Sequence, residues 1–491
     1  MREEKRVTSV AKDITLNKLY MNEELGASSS YDIGLRELLV LDRKVLLYYV
    51  NGLVDDIVIV QIIKQLVKAN DNEVPKRVAD IVHNRIVSHQ IEEEREFQPI
   101  IDELLSGLIV LFVDGVQYAF IVDVRFYPGR QPEEPDTERV IRGSRDGFTE
   151  NIMENTGLIR RRIKDKRLRN EMFKVGRRSK TDICISYIND IANERYVKIV
   201  KEKLKNIDID SLVMADKALT ELFIDYQWNP FPLVRFTERP DVAAHHILSG
   251  YVILVVDTSP NAIILPTTYF DHLEHAEEFR QTPFVGTFTR WIRFLAVSAS
   301  LFLVPLWLLF VLEPQLLPEA FSFIGPKETG NIPIPLQIIM ADVGVEFLRM
   351  AAVHTPTPLA TALGLIAAVL IGEIAIDVGM FSPEVILYVA VSTIGAYVTP
   401  SYELSVANKM LNLFIILSTV FFGVNGFVIS FTICLLFLTS LKTLETPYLW
   451  PFIPFDFPAL VRFLLRIPLP YTKLRPSIVQ PQDEVRQRQS N

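Results

Sequence analysis

Residues 359–380 read LATALGLIAAVLIGEIAIDVGM, an apolar run of 22 residues that carries two acidic side chains. About 20 apolar residues in a helix span the hydrocarbon core of a bilayer. Glu373 and Asp377 are four positions apart, which places both carboxylates on one face of such a helix. Each carboxylate would cost about 2.5–3.5 kcal/mol if it faced lipid. The pattern therefore predicts a membrane-spanning helix whose acidic face lines a polar pathway.

The distribution of charge divides the chain into two unlike regions. Residues 1–290 hold 40 of the 51 basic and 46 of the 59 acidic residues, which leaves 11 and 13 for the last 201. We therefore predict a soluble region followed by a membrane region. The net charge of −8 argues against nucleic acid as a partner. The first 20 residues lack the apolar core of a signal peptide, so the soluble region is expected in the cytosol.

Two patterns in the soluble region resemble each other. Leu105-Ser106-Gly107 precedes the apolar run LIVLFVD, and Leu248-Ser249-Gly250 precedes YVILVVD 143 residues later. Each run reaches a turn signal, such as Asp114-Gly115, and then a second apolar run, as in a β-hairpin. We predict two similar α/β subdomains at residues 31–127 and 165–290, from an internal duplication. The alternative is that unrelated hairpins look alike.

The segment between these subdomains, residues 128–164, is rich in charge and turn residues. So long an irregular segment is uncommon in a compact domain unless it is functional or disordered. Two interpretations stay open: a solvated linker, or a loop that docks onto a neighbouring subunit through its arginines, which are Arg142, Arg145, Arg160, Arg161 and Arg162. The polar residues 1–30 are predicted to form a mobile tail.

The sequence contains no pattern typical of catalysis or of a metal site. The two cysteines, Cys184 and Cys434, lie in a predicted strand and in an apolar run, so neither a disulfide nor a cysteine metal site is expected. Residues 176–181 lack the spacing of a phosphate-binding loop. We therefore expect no enzyme, no metal and no cofactor.

The membrane region is predicted at residues 291–445. Phe294–Leu312 is free of charge and follows Arg290 and Arg293, a basic flank that is typical of the cytosolic side. Residues 336–352 are amphipathic. Their charged residues Asp342, Glu346 and Arg349 follow at intervals of four and three. They indicate either local pairing on the helix or the mouth of a pathway.

Two further apolar runs complete this region. Val385–Thr399 is a short span, and Met410–Leu441 has 32 residues without charge, which is too long for one upright helix. Gly423, Asn425 and Gly426 are expected to kink it or to divide it in two. Residues 446–491 are predicted to form an interfacial segment and a basic cytosolic tail. With both ends in the cytosol, we predict about four crossings.

Several motifs resemble those of one known family. They are Glu138, Arg142-Gly143, Gly147-Phe148-Thr149-Glu150, Asn155, Leu158-Ile159-Arg160-Arg161-Arg162, Asn229-Pro230-Phe231-Pro232, Thr237-Glu238-Arg239-Pro240-Asp241 and Val256-Asp257-Thr258-Ser259-Pro260. In these motifs the chain is similar to the A-subunit family of bacterial spore germinant receptors, over about residues 30–460. The resemblance implies a polytopic protein of the spore inner membrane. It also implies an oligomer, expected to be a pentamer, that releases cations when germination begins. Its implied partners are other spore membrane proteins, membrane lipid and monovalent cations.

The chain departs from the family pattern at two places. Thr258 stands where many members have glycine, and residues 340–356 carry fewer acidic residues than usual. These departures favour an accessory or amplifying channel over direct nutrient sensing.

The acidic helix is the candidate pore lining. Ile366, Leu370, Glu373 and Asp377 share one face of it. We expect the two aliphatic residues to form a hydrophobic constriction and the carboxylates to form a ring that favours cations. The structural alternative is that both carboxylates pair with Arg349 inside each bundle. Two other functions stay open: a secondary transporter that uses the intramembrane carboxylates, and a non-conducting scaffold or receptor subunit.

Overall fold

The computed structural model describes residues 9–72, 91–125, 138–224, 228–326, 331–354, 364 and 373–487. The chain forms two compact units. The first contains residues up to 227, residues 234–266 and residues from 469 onward, and the second contains residues 228–233 and 267–468. The first unit carries two β-sheets with helices, and the second is helical and apolar. This architecture confirms the predicted fold class, an α/β region of two similar subdomains followed by an α-helical region.

The first sheet is antiparallel, with strand order β1-β2-β4-β5-β3 among the described residues. The strands are β1 Ile33–Val40, β2 Arg43–Val50, β3 Ile91–Glu94, β4 Ile109–Val113 and β5 Ala119–Val122. Strands β4 and β5 are buried at every position. Their side chains alternate between two apolar clusters. One cluster includes helices α1 (Ile14–Leu25) and α3 (Phe97–Leu104), and the other includes α2 (Asp56–Asn72).

Helix α1 contradicts the prediction that residues 1–30 form a mobile tail. Asp13 caps its N-terminus by accepting from the Thr15 amide, and Gly26 ends it in the left-handed conformation. Met21 and Leu25 are buried in the cluster beneath the first sheet. The prediction was wrong for residues 9–30 because α1 is polar at half of its positions and packs through a narrow face. Residues 1–8 lie outside the described residues.

The described part of the charged segment folds onto the sheets instead of remaining solvated. It includes helix α4 (Ile152–Arg162), which Asn151 caps by accepting from the Met153 amide. Gly157 packs so closely on Gly52 that a Cβ at either position would meet backbone of the other segment. The interpretation of this part as a solvated linker is therefore wrong. Residues 126–137 lie outside the described residues.

The second sheet repeats the strand order of the first, β6-β7-β9-β10-β8. Its strands are β6 Leu168–Val175, β7 Thr181–Ile188, β8 Arg235–Thr237, β9 Val252–Val256 and β10 Ala262–Leu265, and its helices are α5 Glu194–Asn206, α6 Ala215–Phe223 and α7 Pro240–Ser249. Helix α7 precedes β9 as α3 precedes β4. The equivalent order supports the predicted similarity of the two subdomains. The duplication itself stays a prediction.

The C-terminal residues 469–487 pack on the second subdomain. Val479 is buried and lies against Gly250 at the end of α7. The backbone amide of Gln482 donates to the Ile191 carbonyl oxygen at 2.9 Å, and its side-chain amide donates to the Ala192 carbonyl oxygen at 2.6 Å. The end of the chain is therefore part of the α/β unit.

The helical unit contains α8 Ala276–Arg280, α9 Pro283–Leu312, α10 Ile334–His354, α11 Pro383–Tyr397, α12 Tyr402–Ser440 and α13 Phe457–Leu464. Among the described residues, α9 and α12 are long and apolar enough to cross a membrane, and α11 is a shorter apolar helix. Helix α9 begins before the predicted span because Pro283 favours the first helical position. Arg290 of the predicted basic flank is buried against Glu278 at 2.6 Å.

Gly423 divides α12 into two antiparallel segments. Its backbone has non-helical angles, φ 56° and ψ −135°. A straight helix would separate Asn408 from Phe437 by roughly 44 Å, yet both lie beside a single cluster of aromatic rings around Tyr448. The small residues Gly426, Ser430 and Cys434 form the buried face of the second segment, as is common where membrane helices approach closely. The number of membrane crossings stays a prediction.

Candidate functional site

The helical unit contains a buried ion pair between α10 and α12. Asp342 Oδ1 lies 2.6 Å from Lys409 Nζ, and the two side chains are 5% and 17% exposed. A charge away from water is tolerated when a partner neutralises it. Asp342 was a predicted site residue, but Lys409 was missed. The sequence sets Lys409 apart, since it is the only lysine or arginine between Arg349 and Lys442.

The other two predicted charges of α10 interact locally. Arg349 NH2 lies 2.7 Å from Glu346 Oε2, three positions earlier on the helix. The Arg349 guanidinium also lies 5.3 Å from the ring centroid of Tyr402. These contacts favour the local-pairing interpretation. They do not support the alternative in which Arg349 pairs with Glu373 and Asp377.

Buried amide and hydroxyl groups join α9 to α11 and to α12. Asn412 Nδ2 donates to the carbonyl oxygens of Ser300 and Leu301, both at 2.9 Å, and Ser392 Oγ donates to the Ser300 oxygen at 3.1 Å. Gly395 of α11 lies against the backbone of Ala296 in α9, with no room for a side chain. Hydrogen bonds and small residues are the usual means of packing helices in lipid.

A tyrosine outside the spans contacts α12 one residue before Lys409. The Tyr269 hydroxyl donates to Asn408 Oδ1 at 3.2 Å, and its backbone amide donates to the Tyr448 carbonyl oxygen at 2.9 Å. Burial raises the pKa of Tyr269 to about 12, so the phenol keeps its proton at neutral pH. Tyr448 falls in the predicted interfacial segment, but the sequence predicts neither contact of Tyr269, because nothing in its local pattern sets it apart.

Only the C-terminal end of the acidic helix lies within the described residues. Ala375 and Ile376 pack against the apolar cluster that α9, α10 and α11 share. Glu373 and Asp377 are exposed, and in the described part of the chain neither has an ion-pair partner. The acidic face therefore points away from the core of its own unit. Ile366 and Leu370 lie outside the described residues.

The predicted docking arginines do not act as a group. Arg142, Arg145 and Arg161 are exposed, whereas Arg162 is partly buried and forms an ion pair with Asp146. Arg160 is buried within its own chain. Docking of Arg160 onto a neighbouring subunit is therefore wrong.

Arg160 instead connects α4 to the two subdomains. Its Nε lies 2.9 Å from Asp32 Oδ2, which also accepts from Asn170 Nδ2 at 2.9 Å. Its other nitrogens donate to the carbonyl oxygens of Asp165 and Leu168 at 3.1 and 3.2 Å. The ion pair is about 1–2% exposed on both sides. This pair belongs to the fold of the α/β unit and leaves no group of Arg160 for a partner.

A second buried arginine, Arg239, connects two of the motifs that resemble the family. Arg239 is fully buried and donates to the carbonyl oxygens of Glu138 and Ser144 at 3.2 and 3.0 Å. Burial raises the pKa of the neighbouring Glu138 carboxyl group. The motif residues around 138–144 and 237–241 are thus in direct contact, although about 100 positions separate them.

Known proteins resemble this chain over nearly its full length. The family model described as Bacillus/Clostridium GerA spore germination protein matches residues 19–478. The chain is 54% identical to stage V sporulation protein AF of Bacillus subtilis (strain 168) over 472 residues, which cover 96% of each chain. It is 27% identical to spore germination protein KA of the same organism, over 99% of this chain and 90% of that relative.

One solved structure is also similar. It is the N-terminal domain of the A subunit of the Bacillus megaterium spore germinant receptor GerK3, with 28% identity and a TM-score of 0.42, covering 53% of this chain and 97% of that one. The family match over most of the chain and the 54% identical relative of equal coverage together decide the assignment. This chain belongs to the GerA family of spore germination proteins.

Proposed function

We propose that this membrane protein is a subunit of an oligomeric ion channel of the germinant receptor type, which releases cations during bacterial spore germination. Membership in the GerA family supports the role in germination. We place the protein in the spore inner membrane with its α/β unit in the cytosol. Since the family and its relatives are spore germination proteins, we expect other spore membrane proteins as partners here too.

The observation that carries the channel proposal is the exposed acidic face at Glu373 and Asp377. In lipid, two such carboxylates would cost about 5–7 kcal/mol together, by doubling the cost of one. Since Ala375 and Ile376 occupy the inward face of the same turn, the carboxylates need water or a neighbouring subunit. A closed ring of subunits, expected to be five, supplies both. It would surround a cation pathway with paired carboxylates.

The constriction is assigned from the sequence alone. Ile366 and Leu370 precede Glu373 by seven and three positions, so a continuous helix would align them with the acidic face. A ring of such side chains closes a pore by excluding water. Since the 54% identical relative is named for sporulation and others for germination, we favour an accessory or amplifying channel over a nutrient sensor.

Potassium efflux from vegetative cells that express the protein, alone and with its natural membrane partners, tests the proposal. We expect Leu370→Ala to increase the leak and Glu373→Gln with Asp377→Asn to change the preference among cations. Glu403→Gln is the matched control, because it makes the same chemical change on another helix of the unit. If well-expressed protein never leaks in any combination, the channel proposal fails and the scaffold function takes its place.

The buried Asp342–Lys409 pair favours a second candidate, a secondary transporter. An intramembrane carboxylate paired with a lysine can exchange its partner for a proton or a substrate. A transporter of this kind would couple potassium flux to a second gradient. Flux that stops when the proton gradient is dissipated would favour transport, whereas a channel continues to conduct.

A further inference from the structure

Three aromatic residues of the helical unit form a cluster that we call the aromatic joint: Phe231, Tyr269 and Tyr448. The Tyr448 ring centroid lies 6.3 Å from that of Phe231 and 6.1 Å from that of Tyr269. All three side chains are buried. They come from segments more than 30 residues apart, so tertiary folding alone brings them together.

Two of the three residues lie next to neighbouring strands of the second sheet in the sequence. Phe231 precedes the first residue of β8 by four positions, and Tyr269 follows the last residue of β10 by four. Strands β8 and β10 are antiparallel neighbours, with Arg235 paired to Ile264. The start of β8 and the end of β10 are therefore at the same end of the sheet. Along the chain, two segments of equal length, residues 231–234 and 266–269, separate the joint residues from these strand ends.

Both segments are held by hydrogen bonds. In the segment after β10, the Thr268 amide and hydroxyl donate to Asp271 Oδ2 at 2.9 and 3.0 Å. In the segment before β8, the Leu233 carbonyl oxygen accepts from Thr443 Oγ1 at 3.0 Å. Such bonds leave the residues around Phe231 and Tyr269 few alternative conformations, so both rings are held in place in the joint.

The joint reaches the buried ion pair through one hydrogen bond. The Tyr269 hydroxyl donates to Asn408 Oδ1, and Asn408 is adjacent to Lys409, which pairs with Asp342. The hydroxyl of Tyr448 has no hydrogen-bond partner among the described residues, although Tyr448 is also buried. The polar link from the joint to α12 is therefore made by Tyr269.

We infer that Tyr269 is a positioning residue for the Asp342–Lys409 ion pair of the helical unit. Its hydroxyl holds the beginning of α12, so loss of this hydrogen bond lets Lys409 shift relative to Asp342. The positioning role is argued from these contacts, whereas its effect on cation release rests on the proposed channel function.

Tyr269→Phe and Tyr448→Phe form a matched pair of variants for the test. Each removes one oxygen from a buried tyrosine of the same joint and keeps the ring. Only the first breaks a hydrogen bond between described residues. Hydrogen–deuterium exchange of the full-length protein in lipid nanodiscs is measured over residues 402–412. We expect Tyr269→Phe to accelerate exchange there about fivefold, the effect of one lost hydrogen bond, and Tyr448→Phe to leave it unchanged.

Potassium efflux supplies the second measurement. We expect Tyr269→Phe to change the leak, and expect this effect to disappear in a Lys409→Met background, because the ion pair is then already broken. Equal exchange over residues 402–412 in the two tyrosine variants overturns the inference, whatever the leak. If neither the wild type nor any variant leaks but the exchange differs as expected, the positioning role of Tyr269 stands and the channel proposal fails.

Discussion

Substitution of Asp32 by alanine gives the sharpest test of the α/β unit. Asp32 Oδ2 accepts from Arg160 and from Asn170, all within a nearly water-free environment. The variant leaves the guanidinium of Arg160 buried without a counter-charge. Removal of one partner of a buried ion pair costs about 3–5 kcal/mol. The α/β unit has about 280 residues, and for a unit of that size each kcal/mol shifts the unfolding midpoint by roughly 2 °C, so we expect a decrease of about 6–10 °C.

Thermal unfolding of the full chain in detergent measures this effect. All four tryptophans, at positions 228, 291, 307 and 450, lie in the helical unit, so their fluorescence follows that unit. Proteolysis within residues 138–224 at increasing temperature follows the α/β unit. We expect the proteolysis midpoint to fall and the fluorescence midpoint to change little.

Two further variants control the experiment. Asp32→Leu combined with Arg160→Met removes both charges, and we expect it to recover at least half of the loss, because no unpaired charge remains. Glu37 lies on strand β1 and forms an exposed ion pair with Lys18 of helix α1. Glu37→Ala breaks this pair, and we expect no measurable shift of the midpoint. The reasoning is refuted if Asp32→Ala unfolds within about 2 °C of the Glu37→Ala variant, a shift too small for a loss of several kcal/mol.

Four other changes have expected outcomes. Thr258→Gly should raise the midpoint of the α/β unit by about 2 °C, because a β-branched residue at φ 67° is strained by about 1 kcal/mol. A lower midpoint contradicts this. Gly395→Val should prevent recovery of monodisperse protein in detergent, since a side chain would collide with the Ala296 backbone; normal recovery would show that α9 and α11 are less closely packed. Burial lowers the pKa of His246 well below 6.5, so in acid the unfolded chain binds more protons than the folded one, and the α/β unit should lose about 1.4 kcal/mol of stability per pH unit below about pH 6.5. In acid titrations His246→Gln should reduce this pH dependence of stability, and an identical slope in the variant rejects the prediction. Val479→Asp should detach the C-terminal residues, because an unpaired charge is not tolerated at this buried site, and trypsin should then cleave at Lys473 faster than in Val479→Ala.

Much of the architecture was accessible from the sequence. The apolar runs of β4 and β9, each after a Leu-Ser-Gly triplet, correctly predicted two related hairpins. The charge-free runs correctly predicted apolar helices over most of α9, α11 and α12. These properties follow from side-chain periodicity and from turn residues, which act over a few positions and can be recognised in one segment at a time.

Other predictions failed where packing decides. Helix α1 looked like a polar tail because its polar residues hide the few side chains that pack beneath the sheet. Arg160 looked like a surface residue because two more arginines follow it. It is nevertheless buried against Asp32, 128 positions away. Charge alone does not show whether a residue is exposed, since a buried arginine needs a partner that sequence spacing does not reveal.

The sequence by itself determined the family, the division into a charged and an apolar region, and the helices and hairpins of each. Only the tertiary structure decided that Lys409 pairs with Asp342, that Tyr269 reaches Asn408, and that Gly423 folds α12 back on itself. The physical reason is the range of the interactions. Backbone hydrogen bonds and turn geometry are set by neighbours in the chain, whereas partners for buried charges and hydroxyl groups are set by how distant elements pack.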